Sequence, residues 1–384
     1  MDKGTWTSPP LELLLELFRR LDVTDVVRCA GTCKPWRRAI IGNAVSCLRP
    51  RPDCFIPNFL LGFFFHKKLY GDAGVSLLRT SGPFVPAFAM PTAAGAGGED
   101  LALYDMPLSC RDGLLLIKGR EVDDLWLYNT MTGDRKFIPA AAFKPDSYVL
   151  VTGYDLPTSG DLGVRILAVK TEHKDGIPVK HSPEFMKNLA TSIFPGNEVV
   201  CGGAVHWLGL WTLDPCNWFS FPEDLTVDEI QGYTLAVDMR TGRTWVTKLP
   251  DQCRHGYSSC SLVLATSGDG RLSVVQEGRF HGYHGSCIQV WVLISEQWSL
   301  QRTVPVPAAN MGMDLWTNNI VFCPRSGCVL VEVKGGDLII ELDTGPSRLI
   351  RYLKPSIPWS LSNSGYRYPY ETDWSTYLSR MKSF

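Results

Sequence analysis

The chain has 384 residues, of which 45% are hydrophobic and 20% are charged, and its formal net charge is −1. This length allows two or three domains that each bury a core, and the composition is that of a globular protein. A net charge so close to zero excludes a general electrostatic attraction to nucleic acid or to anionic lipid.

The amino-terminal segment and the cysteines indicate a reducing compartment. The opening "MDKGTWTSPP" has no apolar core of the length that a secretory signal needs, and no Asn-x-Ser/Thr motif occurs. We therefore expect the twelve cysteines to be reduced thiols in the cytoplasm and/or nucleus. The longest apolar run, "FIPNFLLGFFF" (55–65), is broken by Pro57, Asn58 and Gly62 and is too short for a membrane helix.

Residues 11–41 predict three short helices. Ser8 followed by Pro9 and Pro10 is typical of a helix start. The apolar residues of the first helix cover an arc of about 200°, roughly twice what a helix on one core needs; they are Leu11, Leu13, Leu14, Leu15, Leu17, Phe18 and Leu21. Part of this face is thus expected to pack in its own domain, while the rest contacts a second surface.

The two following helices are shorter. Val26, Val27 and Ala30 share a face of the second, and the third begins near Pro35 with Trp36, Ile40 and Ile41 pointing inward. Three such helices bury too little surface to be stable alone, so they must dock on the rest of the chain or on another protein. A nucleic-acid-binding hairpin is disfavoured, because the basic residues are interleaved with leucines.

The stretch from Pro10 to Ile41 resembles an F-box. The matching residues are Leu14, Leu15, Glu16, Leu17, Phe18, Leu21, Asp25, Arg28, Cys29, Ala30, Cys33, Lys34, Trp36, Arg37 and Ile40. F-boxes usually begin Leu-Pro-x-Asp/Glu, whereas this sequence has Pro9-Pro10-Leu11-Glu12. The resemblance implies binding to a Skp-type adaptor and through it to a cullin. The adaptor-binding residues that it implies are Pro10, Leu11, Leu14, Leu15, Leu17, Phe18, Leu21, Val26, Cys33, Lys34 and Trp36.

After Pro52 the helical periodicity gives way to short apolar strands with turn residues between them. One strand–turn–strand pattern recurs at 125–139, 233–250, 287–307 and 337–355. An upstream partner strand precedes each copy, at 112–119, 204–210, 271–278 and 328–335. The turn glycines Gly133, Gly242 and Gly345 are 109 and 103 positions apart, about two units of roughly 50 residues, as in a kelch-type propeller.

The sequence therefore predicts an α + β chain of two domains: an N-terminal three-helix F-box over 8–48 and an all-β, propeller-like domain over 55–355 with about six blades. A two-sheet sandwich is the alternative. Trp126, Trp207, Trp245, Trp291 and Trp298 are expected to be wedges between blades. The aromatic tail, 356–384, can close the ring, line a groove or stay loose.

The β-domain also resembles the kelch-related or F-box-associated domains of plant F-box proteins. This likeness rests on "SCRDGLLLI" (109–117) and on the strand pairs joined by Thr-Gly turns. It brings no catalytic residues with it.

No nucleotide-binding, metalloprotease or serine-hydrolase motif occurs. His281, His284 and Cys287 have zinc-like spacing, but no fourth ligand is evident and the glycines favour a hairpin loop. His206 is expected to be a satisfied core histidine, and Cys29 and Cys33 core thiols. We expect no catalytic residue, metal or cofactor.

The favoured function is a non-catalytic substrate-recognition subunit of an SCF-type cullin-RING ubiquitin ligase. It joins the Skp-type adaptor to an unknown protein substrate and binds neither nucleic acid nor membrane. The alternative is a propeller scaffold or enzyme on which the helices pack as a structural cap.

Overall fold

The structure is a computed structural model. It describes residues 10–21, 23–43, 55, 59–69, 72–80, 104–119, 124–130, 134–139, 141, 143, 145, 147–155, 164–169, 190–193, 198–212, 231–255, 262–279, 286–306, 320–333, 336–342, 349–353 and 367–371.

Three short helices form the N-terminal module, as predicted. They are α1 (Leu11–Arg20), α2 (Val23–Thr32) and α3 (Lys34–Gly42). Pro10 is the N-cap of α1, and its carbonyl accepts hydrogen bonds from the N–H groups of Leu13 and Leu14 at 3.1 and 3.2 Å. The helices enclose a small core of Leu14, Phe18, Val26, Ala30 and Ile40, to which Phe59 also belongs.

Every strand in the rest of the described chain belongs to an antiparallel sheet, and two short 3-10 helices lie between strands, at Gly153–Asp155 and Asp251–His255. Blade one holds β1 (Leu60–Leu69), β2 (Asp72–Arg79) and β22 (Arg367–Glu371). Blade two holds β3 (Tyr104–Arg111), β4 (Leu114–Gly119), β5 (Leu125–Asn129) and β6 (Arg135–Ile138). A two-stranded ribbon follows, β7 (Ser147–Thr152) and β8 (Val164–Val169).

Three further blades complete the set. Blade three holds β9 (Ala190–Ile193), β10 (Val199–Cys201), β11 (Ala204–Thr212), β12 (Gln231–Asp238) and β13 (Thr244–Lys248). Blade four holds β14 (Leu262–Thr266), β15 (Leu272–Arg279), β16 (Ser286–Ile294) and β17 (Gln297–Pro305). Blade five holds β18 (Ile320–Cys323), β19 (Cys328–Val333), β20 (Gly336–Glu341) and β21 (Leu349–Leu353).

The blades form a ring around one centre. Strand β22 packs beside β3, β3 beside β7, β10 beside β14, β14 beside β18, and β18 beside β22. Blade three meets the ribbon through a shared apolar cluster that includes Val149, Val205 and Trp207. Each sheet thereby buries its faces against its neighbours, which is how a propeller limits its exposed edges.

The number of blades differs from the prediction of about six. Five sheets have three or more strands, and the sixth position in the ring is taken by the ribbon β7–β8, which has only two strands in the described residues. The regular spacing of the strand pairs could not predict that the sixth position holds only two strands. That spacing marks the outer strand pair of each blade, and the ribbon has no outer pair in the described part of the chain.

The C-terminal segment closes the ring. Strand β22 pairs antiparallel with β1, so that blade one combines strands from both ends of the β-domain. Of the three roles open to the aromatic tail, the structure shows ring closure. The boundary predicted at 355 thus separates β22 from the sheet that it completes.

The recurring strand–turn–strand pattern is confirmed. Its copies form the pairs β5–β6, β12–β13, β16–β17 and β20–β21. Ser295 and Glu296 join β16 to β17 with φ of 48° and 68°, the positive values that a two-residue hairpin turn requires. Gly242 has φ 70° in the turn before β13, while Gly133 and Gly345 lie outside the described residues.

All five predicted tryptophan wedges contribute to packing between or within the blades, although only four of them are buried or half-buried. Trp207 and Trp291 are buried, and Trp126 and Trp298 are half-buried against apolar clusters. The Trp298 indole N–H donates to the Lys248 carbonyl at 2.6 Å, which ties blade four to blade three. Trp245 is the most exposed of the five, at 39%, because it lies on β13, the outermost strand of its blade, and its ring packs edge-on against His206 of β11 with 5.8 Å between centroids.

Candidate functional site

Helix α1 presents leucines on two sides. Leu14 and Phe18 are buried in the helical core, whereas Leu11, Leu13 and Leu17 are 48%, 64% and 46% exposed. Leu13 and Leu17 are four residues apart and therefore lie on the same side of the helix, one turn above the other. The apolar arc of α1 therefore has buried residues at its centre and exposed leucines towards both edges: Leu13 and Leu17 form the exposed face of α1, and Leu11 lies towards the opposite edge.

The eleven residues implied by the F-box resemblance occupy three environments. Pro10, Leu11, Leu17, Cys33 and Lys34 are exposed; Leu15, Leu21 and Trp36 are half-buried; Leu14, Phe18 and Val26 are buried. The buried three support the helices from within. Leu13, the most exposed leucine of α1, was on the predicted apolar arc but not in the implied set.

Two side chains of α3 fix the helices to one another. The Trp36 ring packs edge-on against Phe18, with 5.6 Å between ring centroids. Arg37 is buried, and its Nε–H donates to the carbonyl of Ala30 near the C-terminal end of α2 at 3.1 Å. This bond satisfies one of the carbonyls that a helix end leaves without an intrahelical partner. The exposed face of α1 therefore sits on a module whose three helices are tied together.

The centre of the ring holds a small cavity. Its volume is about 50 Å³, and its lining comes from all the inner strands, with Ser109, Val149, Val200, Leu264 and Phe322 among the residues. Binding pockets for small molecules have volumes of roughly 300 Å³ or more. This cavity has room for a few water molecules and not for a metabolite.

A cluster of buried charges lies at one end of the ring; we call it the ion cluster. It consists of Arg111, Asp112, Asp155, Arg325 and Glu371. The Nε–H and Nη2–H groups of Arg111 donate to the Asp155 carboxylate at 2.6 and 2.5 Å. Arg325 donates to both oxygens of Asp112 at 2.8 and 2.7 Å and to Asp155 at 2.9 Å.

Glu371 joins the same cluster through the backbone. Its carboxylate accepts from the backbone N–H groups of Arg325 and Ser326 at 3.0 and 2.7 Å, and from the Ser326 hydroxyl at 2.8 Å. Glu371 is the last residue of β22, and Arg325 lies in the turn from β18 to β19. The ion cluster therefore links blades one, two and five and the end of β7, where Thr152 donates to Asp112.

Burial and pairing shift the acids of the cluster in opposite directions. Burial alone would raise the pKa of Asp155, but Arg111 and Arg325, with hydrogen bonds from Arg111 and Thr152, lower that pKa to about 2. Burial raises the pKa of Glu371, and its bonds from Ser326 and Arg325 offset this only in part. Asp155 is thus a fixed negative charge, and the side chains of the cluster form hydrogen bonds and ion pairs with one another.

A second buried group anchors the other end of β22. Arg367 pairs with Asp337 at 2.5 Å and with Glu332 at 3.6 Å, and both carboxylates lie in blade five. Burial raises the pKa of Asp337, and Arg367 partly offsets that effect. The sequence interpretation did not single out Arg325, Asp155, Glu371 or Arg367. The only signal near the cluster was the Arg111-Asp112-Gly113 turn inside "SCRDGLLLI".

The residues considered for chemistry do not form a reactive site. His206 is buried as predicted, and burial lowers its pKa to about 4, but its Nδ1 has no hydrogen-bond partner in the described structure. Cys33 is exposed and Cys29 half-buried, so the expectation of two core thiols is wrong for Cys33. Cys287 is buried in β16, while His281 and His284 lie outside the described residues.

Within the described residues there is neither a candidate metal site nor a candidate membrane-spanning helix. No group of three His, Cys, Asp or Glu side chains there could hold a metal ion. No described helix is long and apolar enough to cross a membrane.

Solved structures resemble this chain only loosely. The β-propeller domain of Cps50 (Swd1) from Myceliophteria thermophila is 12% identical, over 66% of this chain and 75% of that chain, with a TM-score of 0.32. Acylaminoacyl peptidase from Pyrococcus horikoshii is 11% identical over 64% and 38%, with a TM-score of 0.30. A protein from Lactobacillus plantarum is 12% identical over 77% and 96%, with a TM-score of 0.32. Likenesses this weak say nothing of function.

Two family models match the chain, one over the helical module and one over most of the β-domain, with β1 and β2 between them. No curated protein matches the chain. An F-box-like model matches residues 8–45, the segment that contains α1, α2 and α3. The second model matches residues 100–384, which include every strand from β3 to β22. An F-box-like module thus precedes the β-domain, and the chain belongs to the family described as Domain of unknown function (DUF7595).

Proposed function

We propose that this chain is the substrate-recognition subunit of an SCF-type cullin-RING ubiquitin ligase. The exposed face of α1 binds a Skp-type adaptor and through it a cullin, and the β-domain binds a protein substrate. The observation that carries this proposal is the exposure of Leu11, Leu13 and Leu17 within the segment that matches an F-box-like model.

The chemistry of the helical module fits a protein partner. Large apolar side chains on successive turns of a helix are the anchors of helix-in-groove contacts, and their burial by a partner is favourable. Arg20, Arg28, Lys34 and Arg38 are exposed on the same three helices, where Arg20 pairs with Glu16 and Arg28 with Asp25. The exposed leucines favour a partner with an apolar groove, and the exposed cations Lys34 and Arg38 favour acidic groups on the same partner.

The β-domain contributes binding surface and not covalent chemistry. We propose that it is a kelch-related or F-box-associated domain of the kind found in plant F-box proteins, and that it holds the substrate near the ubiquitin-charged enzyme. The cysteines among the described residues are free thiols, in keeping with a place in the cytoplasm and/or nucleus.

The alternative, a propeller scaffold or enzyme capped by the helices, has weaker support. Among the described residues, the cavity at the centre of the ring has only about 50 Å³, which is too small to bind a metabolite. A cap would bury the apolar face of α1 against the ring, whereas Leu13 is 64% exposed.

The test is co-purification of the full chain with a Skp-type adaptor. In the variant Leu13→Asp/Leu17→Asp, both changed side chains are exposed, so the helical core stays intact while two anchors become charged. We expect adaptor binding to weaken by at least about 100-fold, since loss of each central anchor costs on the order of 2 kcal/mol.

The matched control is Phe137→Asp/Leu300→Asp, which places the same charges on outer strands of the β-domain at residues that are 47% and 43% exposed. This control should bind the adaptor like the wild type. Wild-type binding by the α1 variant, or no binding by the wild type, would contradict the proposal.

A further inference from the structure

The junction between the helical module and the ring is made of consecutive residues with different surroundings. Phe59 is 1% exposed and lies in the helical core with Leu14, Phe18 and Ile40. Leu60, the next residue, is 6% exposed and lies in the ring with Phe63, Leu330 and Ile339. One peptide bond therefore separates the two cores, which leaves no flexible spacer at this point.

The backbone at Leu60 is held by a buried threonine. The Thr80 hydroxyl donates to the Leu60 carbonyl at 2.9 Å, and the Thr80 N–H donates to the Leu61 carbonyl at 3.0 Å. Thr80 is itself 4% exposed. Leu60 is thus fixed by hydrogen bonds on its backbone as well as by packing of its side chain.

A third contact between the two parts of the chain comes from Phe55, four residues before Phe59. Its ring packs edge-on against Phe322 of blade five, with 6.1 Å between centroids, and covers Gly327. Gly327 has φ +64°, and a Cβ at this position would overlap the Phe55 ring. Gly327 directly follows Ser326, which donates two hydrogen bonds to Glu371. Phe55 therefore rests on the turn that holds the end of β22.

We propose that Phe55, Phe59 and Leu60 form a rigid junction that fixes the orientation of the three helices relative to the ring. The helical module is thereby held at the end of the ring that carries the ion cluster. Three side chains in two cores, with a hydrogen-bonded backbone, leave little freedom for a hinge. The use of this junction, to fix the direction of a bound adaptor, rests on the proposed function; the rigidity itself does not.

The test uses a flexible insertion that leaves both cores intact. Inserting Gly-Ser-Gly-Ser between Phe59 and Leu60 keeps each side chain available to its own core but separates the cores by a random coil. The same four residues inserted between Ser295 and Glu296, in an exposed hairpin turn of blade four, are the matched control. Phe55→Ala is a milder variant, with Phe137→Ala as its control.

The readout is the distance distribution between spin labels carried by non-natural amino acids at Arg38 and Thr244, which are both exposed. We expect one narrow distance in the wild type and both controls. We expect the junction insertion to widen the distribution at least about twofold, as a flexible linker does. Phe55→Ala should widen it less.

A wild-type distribution as wide as that of the junction insertion would overturn the proposal, as would an insertion that changes nothing. The adaptor-binding assay is run on the same proteins, and it should give the same affinity in all of them, because the exposed face of α1 is untouched. A rigid chain that binds no adaptor would refute the proposed function and leave the junction standing.

Discussion

At the scale of single residues, Arg325 is the residue that contacts all three acids of the ion cluster. It is 11% exposed and donates to Asp112 and Asp155, while its own backbone N–H donates to Glu371. Burial would lower its pKa, but the attraction of Asp112 and Asp155 outweighs burial, so the pKa is raised. Arg325 is therefore a permanent cation among three carboxylates.

Replacing Arg325 should be among the most damaging single changes in the β-domain. Arg325→Met removes the charge but keeps a chain of similar length, which leaves Asp112 and Asp155 without this partner. Breaking a buried pair from one side costs roughly 3–5 kcal/mol. The free energy of unfolding, measured in urea, should fall by about this amount, whereas the exposed control Arg240→Met should leave it unchanged.

The lowered pKa of Asp155 predicts that the free energy of unfolding depends on pH. Its pKa is lowered from 3.8 to about 2 in the folded chain, so its stabilisation is complete above pH 4 and is lost as the pH falls through this interval. The total is about 2 kcal/mol, of which roughly half is lost between pH 5 and 3. Glu371 acts in the opposite sense, because its raised pKa favours the folded state at low pH.

The measurement compares urea unfolding of the wild type and Asp155→Asn at pH 5 and pH 3. The wild type should lose about 1 kcal/mol more than the variant over this range, since only the wild type has this carboxylate to protonate. Equal losses in the two proteins would show that Asp155 does not have the lowered pKa.

The residues of the ion cluster could not be identified from the sequence. Asp112 and Arg325 are separated by 213 positions, and each stands in an ordinary turn sequence. Their pairing is a consequence of ring closure, which brings the first turn of blade two next to the first turn of blade five. By contrast, the excess width of the apolar arc of α1 followed from helical periodicity, because that pattern is local, although periodicity did not identify Leu13 as its most exposed leucine.

At the scale of elements, the outer strands were predictable and the inner strands were not. The pairs β5–β6, β12–β13, β16–β17 and β20–β21 each begin with an apolar strand that is followed by recognisable turn residues. Inner strands such as β10 and β18 have only three and four residues. Strand β22 reads "RYPYE", with a proline in the middle, and gives no periodic signal.

Strand β22 nevertheless determines whether blade one is complete. Its Tyr370 is 1% exposed and packs against Phe64 with 5.1 Å between centroids, while Arg367 and Glu371 hold its two ends to blade five. A chain truncated after residue 366 would keep only β1 and β2 in this blade. An isolated two-stranded hairpin is marginally stable, and β1 would expose an unpaired edge.

Truncation after residue 366 should therefore abolish cooperative unfolding of the β-domain and cause aggregation. Truncation after residue 371, which keeps β22, is the matched control and should unfold in one transition. The check is circular dichroism during thermal unfolding, together with size-exclusion chromatography. A monomeric, cooperatively folded product of the shorter chain would contradict the role given to β22.

At the scale of the whole molecule, the chain has two cores that meet at one peptide bond. The ion cluster and the second anchor of β22 lie between Leu60 and Glu371, as do the ring clusters, against one of which Phe55 also packs. No residue of α1, α2 or α3 belongs to these groups. The ring should therefore fold without the helices.

Deletion of residues 1–50 together with Phe59→Ser tests this independence. The serine replaces an aromatic side chain that the deletion would expose to water. We expect the near-ultraviolet circular dichroism of the ring to be kept and adaptor binding to be lost. Unfolding of the deleted chain would mean that the helices belong to the ring's core, which would favour the capped-scaffold alternative.

The pairing of β1 with β22 has a consequence for synthesis on the ribosome. The helices are complete at Gly42, but the strand that seals the ring begins at Arg367. At 5–20 residues per second, translation of the intervening chain takes about a quarter of a minute to a minute. During that time, a nascent chain displays its leucine-rich helix while the polypeptide that follows is still open, so a partner of the helix can be recruited before any target can.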